Sequence, residues 1–113
     1  MVKKEEFYYD SRDGEHKLHA IRWIPETEKP VCIVQIIHGM AEYIDRYDEF
    51  ARFLAEKGIL VTGDDHLGHG KSVKAGEPYG YFCKNDAATV LVRDEHRLKK
   101  MTQESYPGVP YVI

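Results

Sequence analysis

The stretch that decides the fold is VCIVQIIHGMAEYIDRYDEFARFLAEKGILVTGDDHLGHGKS, residues 31–72. It opens with an almost continuous apolar and β-branched run over Val31–Ile37, which is typical of a strand covered on both faces of a sheet. Apolar residues at helical spacing follow over 44–58, with Asp45 as the predicted N-cap and Gly58 just past the end. A second apolar strand, ILVTGDD, comes next. Strands joined by a helix in this way predict a parallel pair with a right-handed crossover.

The flanking sequence adds a hairpin before this unit and a helix and strand after it. An aromatic-rich Glu6–Asp10, an Asp-Gly turn and the alternating Lys17–Ile24 predict two antiparallel strands. A long glycine-rich loop covers 66–84, a helix is predicted within 85–108, and the last four residues, PYVI, predict a final buried strand. The predicted order is β-β-β-α-β-α-β. This is an α/β fold with a mostly parallel sheet and an antiparallel hairpin at its N-terminal edge.

Composition excludes several classes of function. The chain has 113 residues, enough for one domain, and its 42% hydrophobic and 31% charged content is ordinary for a globular protein. The net charge of −3 and the lack of a basic stripe argue against nucleic-acid binding. No apolar run reaches the roughly 18 residues of a membrane span. The charged N-terminus lacks the apolar core of a signal peptide, so we expect a cytoplasmic protein.

Two loops follow the predicted parallel strands at their carboxyl ends, where open α/β sheets bind ligands. In the first loop, Gly39 lets the backbone turn sharply after His38. The next amides, of Met40 and Ala41, could then point into a site and stabilise a developing oxyanion. An ordinary strand-to-helix turn with a hydrogen-bonded His38 explains the same residues.

The second loop, DDHLGHGKS, contains potential metal ligands, but its spacing argues against a metal site. His66 and His69 lie beside Asp64 and Asp65, yet no third cluster of ligand-type residues has a convincing spacing, so we predict no metal and no cofactor. A phosphate-binding loop is excluded because Asp65 stands where its first glycine is needed. GKSVK is not a G-x-S-x-G nucleophile elbow because it ends in lysine. A glycine-rich loop held by its own hydrogen bonds remains the alternative.

Together the two loops resemble the amino-terminal part of the α/β-hydrolase fold, and more narrowly its monoacylglycerol lipase and lysophospholipase branch. The family pattern is a strand, His-Gly-x-x-Glu, an Arg-Tyr helix start, a second strand and Asp-x-x-Gly-His-Gly-x-Ser. Residues 38–42, 46–47 and 65–72 match it at the family's spacing. The similarity covers essentially the whole chain.

The resemblance implies a serine ester hydrolase that acts on lipid esters by acyl transfer. It identifies the backbone N–H of Met40 as an oxyanion-hole donor, in a turn shaped by His38 and Gly39. The residues that it places as support near the site are Glu42, Asp65, His66, Gly68, His69, Gly70 and Ser72. It matches no member of the Ser-Asp-His triad here, because in the family the nucleophile elbow, the acid, the histidine and the lid all come later.

We therefore expect residues 1–113 to form a single partial α/β-hydrolase domain, truncated before the nucleophile elbow and lacking the cap and C-terminal half. Alone it is predicted to be inactive, with a lipid ester bound only in the complete enzyme. The expected partners are the missing C-terminal half or further copies, giving an oligomer through the exposed last strand. The alternative function is a self-associating, non-catalytic α/β module that acts in interaction or assembly.

Overall fold

The fold is described by a computed structural model over residues 2–27, 29–39, 42–73, 76 and 87–113. Its elements in chain order are β1 (Lys3–Asp10), β2 (Lys17–Ile24), β3 (Ile33–Ile36), α1 (Asp48–Glu56), β4 (Leu60–Asp64), α2 (Ala87–Ser105) and β5 (Tyr111–Val112). Short 3₁₀ turns at Ile44–Tyr47 and Gly70–Ser72 precede α1 and follow β4.

The strands form one mixed sheet in the order β1-β2-β4-β3-β5. β2 pairs antiparallel with both β1 and β4, whereas β3 pairs parallel with β4 and β5. The predicted α/β fold, with the hairpin at one edge of the sheet, is confirmed. Because β3 and β4 are parallel neighbours, the loops that follow them lie at the same edge of the sheet.

The sheet is packed on both faces. One cluster packs α1 against the sheet and consists of Ile21, Trp23, Ile44, Ala51, Ala55 and Val61. A second cluster packs α2 against it and consists of Tyr9, Leu18, Ala20, Leu67 and Leu98. Asp94 of α2 accepts hydrogen bonds from Ser11 Oγ at 2.8 Å and from the N–H of Arg12 at 2.7 Å, so the helix is also tied to the hairpin turn.

The helix after β3 starts later than predicted. Asp45 lies within the 3₁₀ turn, where it pairs with Lys4 at 2.6 Å, so its predicted role as N-cap is wrong. α1 begins at Asp48, whose carboxylate accepts the indole N–H of Trp23 at 2.9 Å. Local sequence patterns do not predict this bond, because Trp23 and Asp48 are distant in sequence. Gly58 does follow the helix as predicted, with a φ of 87°.

Gly63 lets the 3₁₀ turn pack directly on β4. A Cβ at this position would lie 2.3 Å from Ile44 Cδ1 and 2.8 Å from the carbonyl oxygen of Ile36. Since the second contact is with backbone of the neighbouring strand, no side-chain movement would relieve it. No helix in the described ranges combines the length and apolar character needed to cross a bilayer.

Candidate functional site

The loops after β3 and β4 meet at the carboxyl edge of the sheet. The rings of His38 and His66 lie 3.8 Å apart between centroids, and those of His38 and His69 lie 5.2 Å apart. The backbone N–H of His66 donates to His38 Nε2 at 3.0 Å, and His66 Nε2 lies 3.1 Å from the carbonyl oxygen of His38. Two motifs separated by 27 residues in sequence thus form one reciprocally bonded unit.

His38 is neutral in this arrangement. Its Nε2 accepts an N–H, so the ring proton must be on Nδ1, which donates to the carbonyl oxygen of Gly39 at 2.8 Å. Burial lowers the pKa of His38, and the nearby His66 and His69 act in the same direction. This histidine is only 4% exposed and both ring nitrogens are bonded, so it fixes the turn rather than transferring a proton.

The turn after His38 is held by Glu42. The N–H of Gly39 donates to Glu42 Oε1 at 2.6 Å, and the hydroxyl of Tyr47 donates to the same oxygen at 3.0 Å. These two bonds hold the pKa of Glu42 below its ordinary value. Met40 and Ala41 lie outside the described residues, so the predicted oxyanion role of the Met40 amide stays a prediction.

Asp65 joins three parts of the site. Its carboxylate accepts the N–H of Ile44 at 2.7 Å and that of Lys71 at 3.0 Å, and it contacts His19 Nδ1 at 2.7 Å. Burial alone would raise the pKa of Asp65, but these contacts, led by His19, lower it. Asp65 therefore fixes the 3₁₀ turn before α1 and the Gly70–Ser72 turn to the end of β4.

The second motif folds tightly around Asp65. Gly70 has a φ of 49°, and a Cβ there would lie 2.4 Å from Asp65 Cγ, so only glycine fits beside the carboxylate. Ser72 Oγ donates to the carbonyl oxygen of Asp65 at 2.6 Å and accepts the N–H of His19 at 2.9 Å. His69 Nδ1 lies 2.9 Å from the carbonyl oxygen of Leu67. Gly68, also predicted as support, has a φ of 76° in the turn between the two histidines.

His19 is a site residue that the sequence analysis missed. Its Nδ1 contacts Asp65 and its Nε2 contacts Glu6 Oε1 at 2.8 Å, so both nitrogens face acceptors and the ring is an imidazolium. Burial would lower the pKa of His19, but the two carboxylates raise it. His19 lies on β2 within an alternating strand pattern, and no local signal distinguishes it from an ordinary strand residue.

Glu95 of α2 is a second residue that the sequence analysis missed. Ligand atoms of Asp64, His66 and Glu95 all lie within 4.8 Å of one another. Burial would lower the pKa of His66, but the two carboxylates raise it to about 10. Burial and the charge of Asp64 raise the pKa of Glu95 to about 8. The sequence analysis considered Asp64 and His66 as ligands, and α2 supplies the third group that it lacked.

A groove of about 330 Å³ opens beside this group, between α2 and the carboxyl end of β3. Its lining includes Ile37, His66, Leu91, Glu95 and Ile113. His66 and Glu95 therefore border the groove, whereas Asp64 does not line it and is fully buried.

None of the three serines forms part of a nucleophile–base pair. Ser11 donates to Asp94, Ser72 donates to the carbonyl oxygen of Asp65, and Ser105 donates to that of Met101. All three hydroxyls thus serve local structure. None of these hydroxyls, all within the described residues, is bonded to a histidine that could activate it.

Comparisons with known proteins match this chain to one family and to lipases of that kind. The family described as Serine aminopeptidase, S33 matches residues 28–113. A monoglyceride lipase of Homo sapiens is 35% identical over 101 residues, covering 89% of this chain and 31% of that protein. A monoglyceride lipase homolog of Monkeypox virus is 39% identical over 91 residues, covering 80% of this chain and 30% of that protein. The chain spans about a third of the length of these relatives.

The fold also matches solved hydrolases. The structure of a thermostable carboxyl esterase from Bacillus coagulans in complex with glycerol superposes with a TM-score of 0.87 at 33% identity. The match covers 98% of this chain and 35% of that one.

Proposed function

This chain belongs to the serine aminopeptidase S33 family of α/β-hydrolases, and on that basis we propose that it forms the oxyanion-hole side of a serine ester hydrolase acting on monoacylglycerols. The names of the human and viral relatives support the substrate class. The intact reaction would be acyl transfer, in which a serine attacks the ester carbonyl and backbone amides stabilise the oxyanion. Family membership does not favour the alternative of a non-catalytic, self-associating module.

The joined loops of His38 and His66 are the observation that carries this proposal. The reciprocal bonds between them fix the backbone that leads into residue 40, and oxyanion stabilisation depends on such preorganised amides. The N–H of Gly39 is already bonded to Glu42 and is not free to serve as the donor. The family resemblance implies the Met40 amide as the donor.

The decisive experiment places this chain in a complete hydrolase. A chimera would carry it in place of the matching third of the Bacillus coagulans esterase, and would be assayed on a monoacylglycerol. Met40→Pro removes the amide N–H and should lower kcat about 10²–10³-fold with little change in KM. Met40→Leu keeps the N–H and should retain activity within a few fold. A folded, active chimera that tolerates Met40→Pro would contradict the assignment.

The 113 residues alone are proposed to be inactive. Loss of the nucleophile–base unit costs several orders of magnitude in rate, about 10⁶-fold in kcat for a serine protease. We expect no turnover of a monoacylglycerol or a short-chain ester above buffer, and no labelling of the chain by a fluorophosphonate probe. Turnover that copurifies with the chain and labels one of its serines would refute this.

We further propose that the β5 edge pairs with another strand, from the remaining part of a hydrolase or from further copies. Among the described strands β5 borders only β3, and its Val112 and the following Ile113 are 53% and 67% exposed. An exposed apolar edge of this kind is a template for strand addition. Light scattering should show multiples of 13.1 kDa or a heavier complex, and Val112→Lys should shift it toward monomer. A monodisperse monomer at high concentration would contradict this.

A further inference from the structure

Three buried polar atoms face one another between β4 and α2. Among the described residues, Asp64 Oδ1, His66 Nδ1 and Glu95 Oε2 have no hydrogen-bond partner outside this group, and His66 Nδ1 lies within ion-pairing distance of both carboxylate oxygens. Their side chains are 0%, 6% and 11% exposed, so bulk water does not solvate them. Leaving three such atoms unsatisfied would be costly, and buried polar groups in native proteins are normally paired.

The ring orientation of His66 shows that a positively charged group is needed between these three atoms. His66 Nε2 lies 3.1 Å from the carbonyl oxygen of His38, which can only accept, so this nitrogen carries a proton. Nδ1 faces two carboxylates, so in the metal-free chain an imidazolium proton on Nδ1 lies between them, and a bound metal would take the place of that proton. Lone pairs that converge in this way require a cation or a proton among them.

From this geometry we propose that Asp64, His66 and Glu95 bind a divalent transition-metal cation, with Zn²⁺ as the ion that suits their mixed nitrogen and oxygen donors best. Ligands placed about 2.0–2.1 Å from a tetrahedral Zn²⁺ lie about 3.4 Å from one another. His66 Nδ1 lies 3.2 Å from Asp64 Oδ1 and 3.6 Å from Glu95 Oε2. This proposal does not depend on the hydrolase function.

Each ligand is oriented by a further contact, as in established metal sites. The carbonyl of His38 holds His66, and the hydroxyl of Tyr9 donates to Asp64 Oδ2. Gln35 Nε2 donates to Glu95 Oε1 at 3.3 Å. In every case the atom left over is the one that faces the other two ligands.

Charge and access are also consistent with a bound cation. Once a metal has displaced the protons on His66 and Glu95, two carboxylates and a neutral imidazole carry a net charge of −2, which a divalent ion neutralises inside the fold. His66 and Glu95 line the 330 Å³ groove, so the group lies directly beside an opening to solvent. The site would fasten α2 to the end of β4, directly behind the loop of His66.

Protons are the competing explanation, since an imidazolium at His66 and a protonated Glu95 could bridge the same atoms without metal. The two explanations differ in a direct titration. The apo 113-residue chain would be titrated with Co²⁺, followed by optical absorption, and then with Zn²⁺ as competitor. We expect one equivalent of Co²⁺ with the intense visible bands of tetrahedral coordination, and displacement by one equivalent of Zn²⁺.

Variants locate the site. Glu95→Gln preserves shape but removes a charged ligand and should weaken Zn²⁺ binding at least about 100-fold, more than loss of an orienting contact. Glu104→Gln, at an exposed position of the same helix, is the matched control and should bind as wild type. His96→Ala tests the exposed histidine at the rim of the groove.

Three outcomes would overturn the proposal. The first is no stoichiometric binding by the folded wild-type chain, which would leave protons as the explanation. The second is a weak, octahedral Co²⁺ spectrum. The third is binding that survives Glu95→Gln but is lost in His96→Ala, which would place the ion on the surface. Because the spectrum of the wild type is decisive, a variant that fails to fold does not prevent the test. The Co²⁺ and Zn²⁺ titrations use no ester substrate, so a negative result for metal binding does not affect the hydrolase proposal.

Discussion

Replacing Asp65 with alanine should destabilise the fold far more than any exposed acid would. Asp65 is 2% exposed, and its removal leaves His19 Nδ1 and the N–H of Ile44 without their acceptor. The N–H of Lys71 also loses its acceptor but can bond to water. Each buried group left unsatisfied costs about 1–3 kcal/mol, so two such groups cost about 2–6 kcal/mol. Asp65→Asn keeps an acceptor for Ile44 and loses mainly the charge opposite His19, so it should cost about 1–3 kcal/mol.

Urea unfolding followed by the single tryptophan, which is fully buried, would measure both variants. Asp10→Ala is the control, because the ion pair of Asp10 with Lys17 is exposed and its loss should leave the urea midpoint nearly unchanged. The pKa of His19 is raised in the folded state. The charged His19 therefore stabilises the fold fully below pH 6.5, and this stabilisation is lost as the pH rises through the folded pKa. The cost of Asp65→Asn should therefore be larger at pH 5.5 than at high pH. A cost below about 1 kcal/mol for Asp65→Ala would refute the reasoning.

Three further predictions follow from other contacts. Gly63→Ala should cost about 1–3 kcal/mol in urea unfolding, because its Cβ would press on the carbonyl of Ile36; an unchanged midpoint would contradict the close approach. Folding raises the pKa of Glu95 from 4.5 to about 8 and that of His66 from 6.5 to about 10, so without added metal both groups bind protons more tightly in the folded chain. The free energy of unfolding should therefore fall from pH 5 to pH 9, by up to about 1.4 kcal/mol per pH unit for each proton. Glu95→Gln should flatten this slope, and an equal slope in the variant would exclude Glu95 as its source. Glu42→Ala should speed hydrogen exchange of the Gly39 amide, as measured by NMR, and an unchanged exchange rate would contradict the bond between them.

Local pattern was enough to predict the order of the elements. The apolar run before His38 and the one before Asp65 have the composition of buried strands, and their parallel pairing follows from the helix between them. Both loops that the sequence indicated as candidates do meet at one edge of the sheet. The contact between the two loops could be predicted from the parallel pairing of the strands that precede them.

Side-chain partnerships were beyond the sequence because they depend on tertiary register. His19 reaches Asp65 only because β2 pairs with β4, and the two residues are 46 positions apart. Glu95 reaches His66 only because α2 packs across the end of β4, and its charged helix pattern gives no sign of burial. At the late start of α1, Asp48 accepts the indole N–H of Trp23, a tertiary bond that no capping rule contains.

The order of the strands in the sheet has a consequence for how the chain leaves the ribosome. β3 is made before β4, yet β4 lies between β3 and the hairpin, so the first three strands cannot form a sheet by themselves. Ile33 must wait for Leu60, its neighbour in the finished sheet, which follows 27 residues later. At the usual rate of synthesis this interval lasts about 1–5 s, during which the apolar face of β3 and the free side of the hairpin are both uncovered. The nascent chain is most open to chaperones and to wrong pairings in this window, and synonymous codon changes between these two strands would lengthen or shorten it.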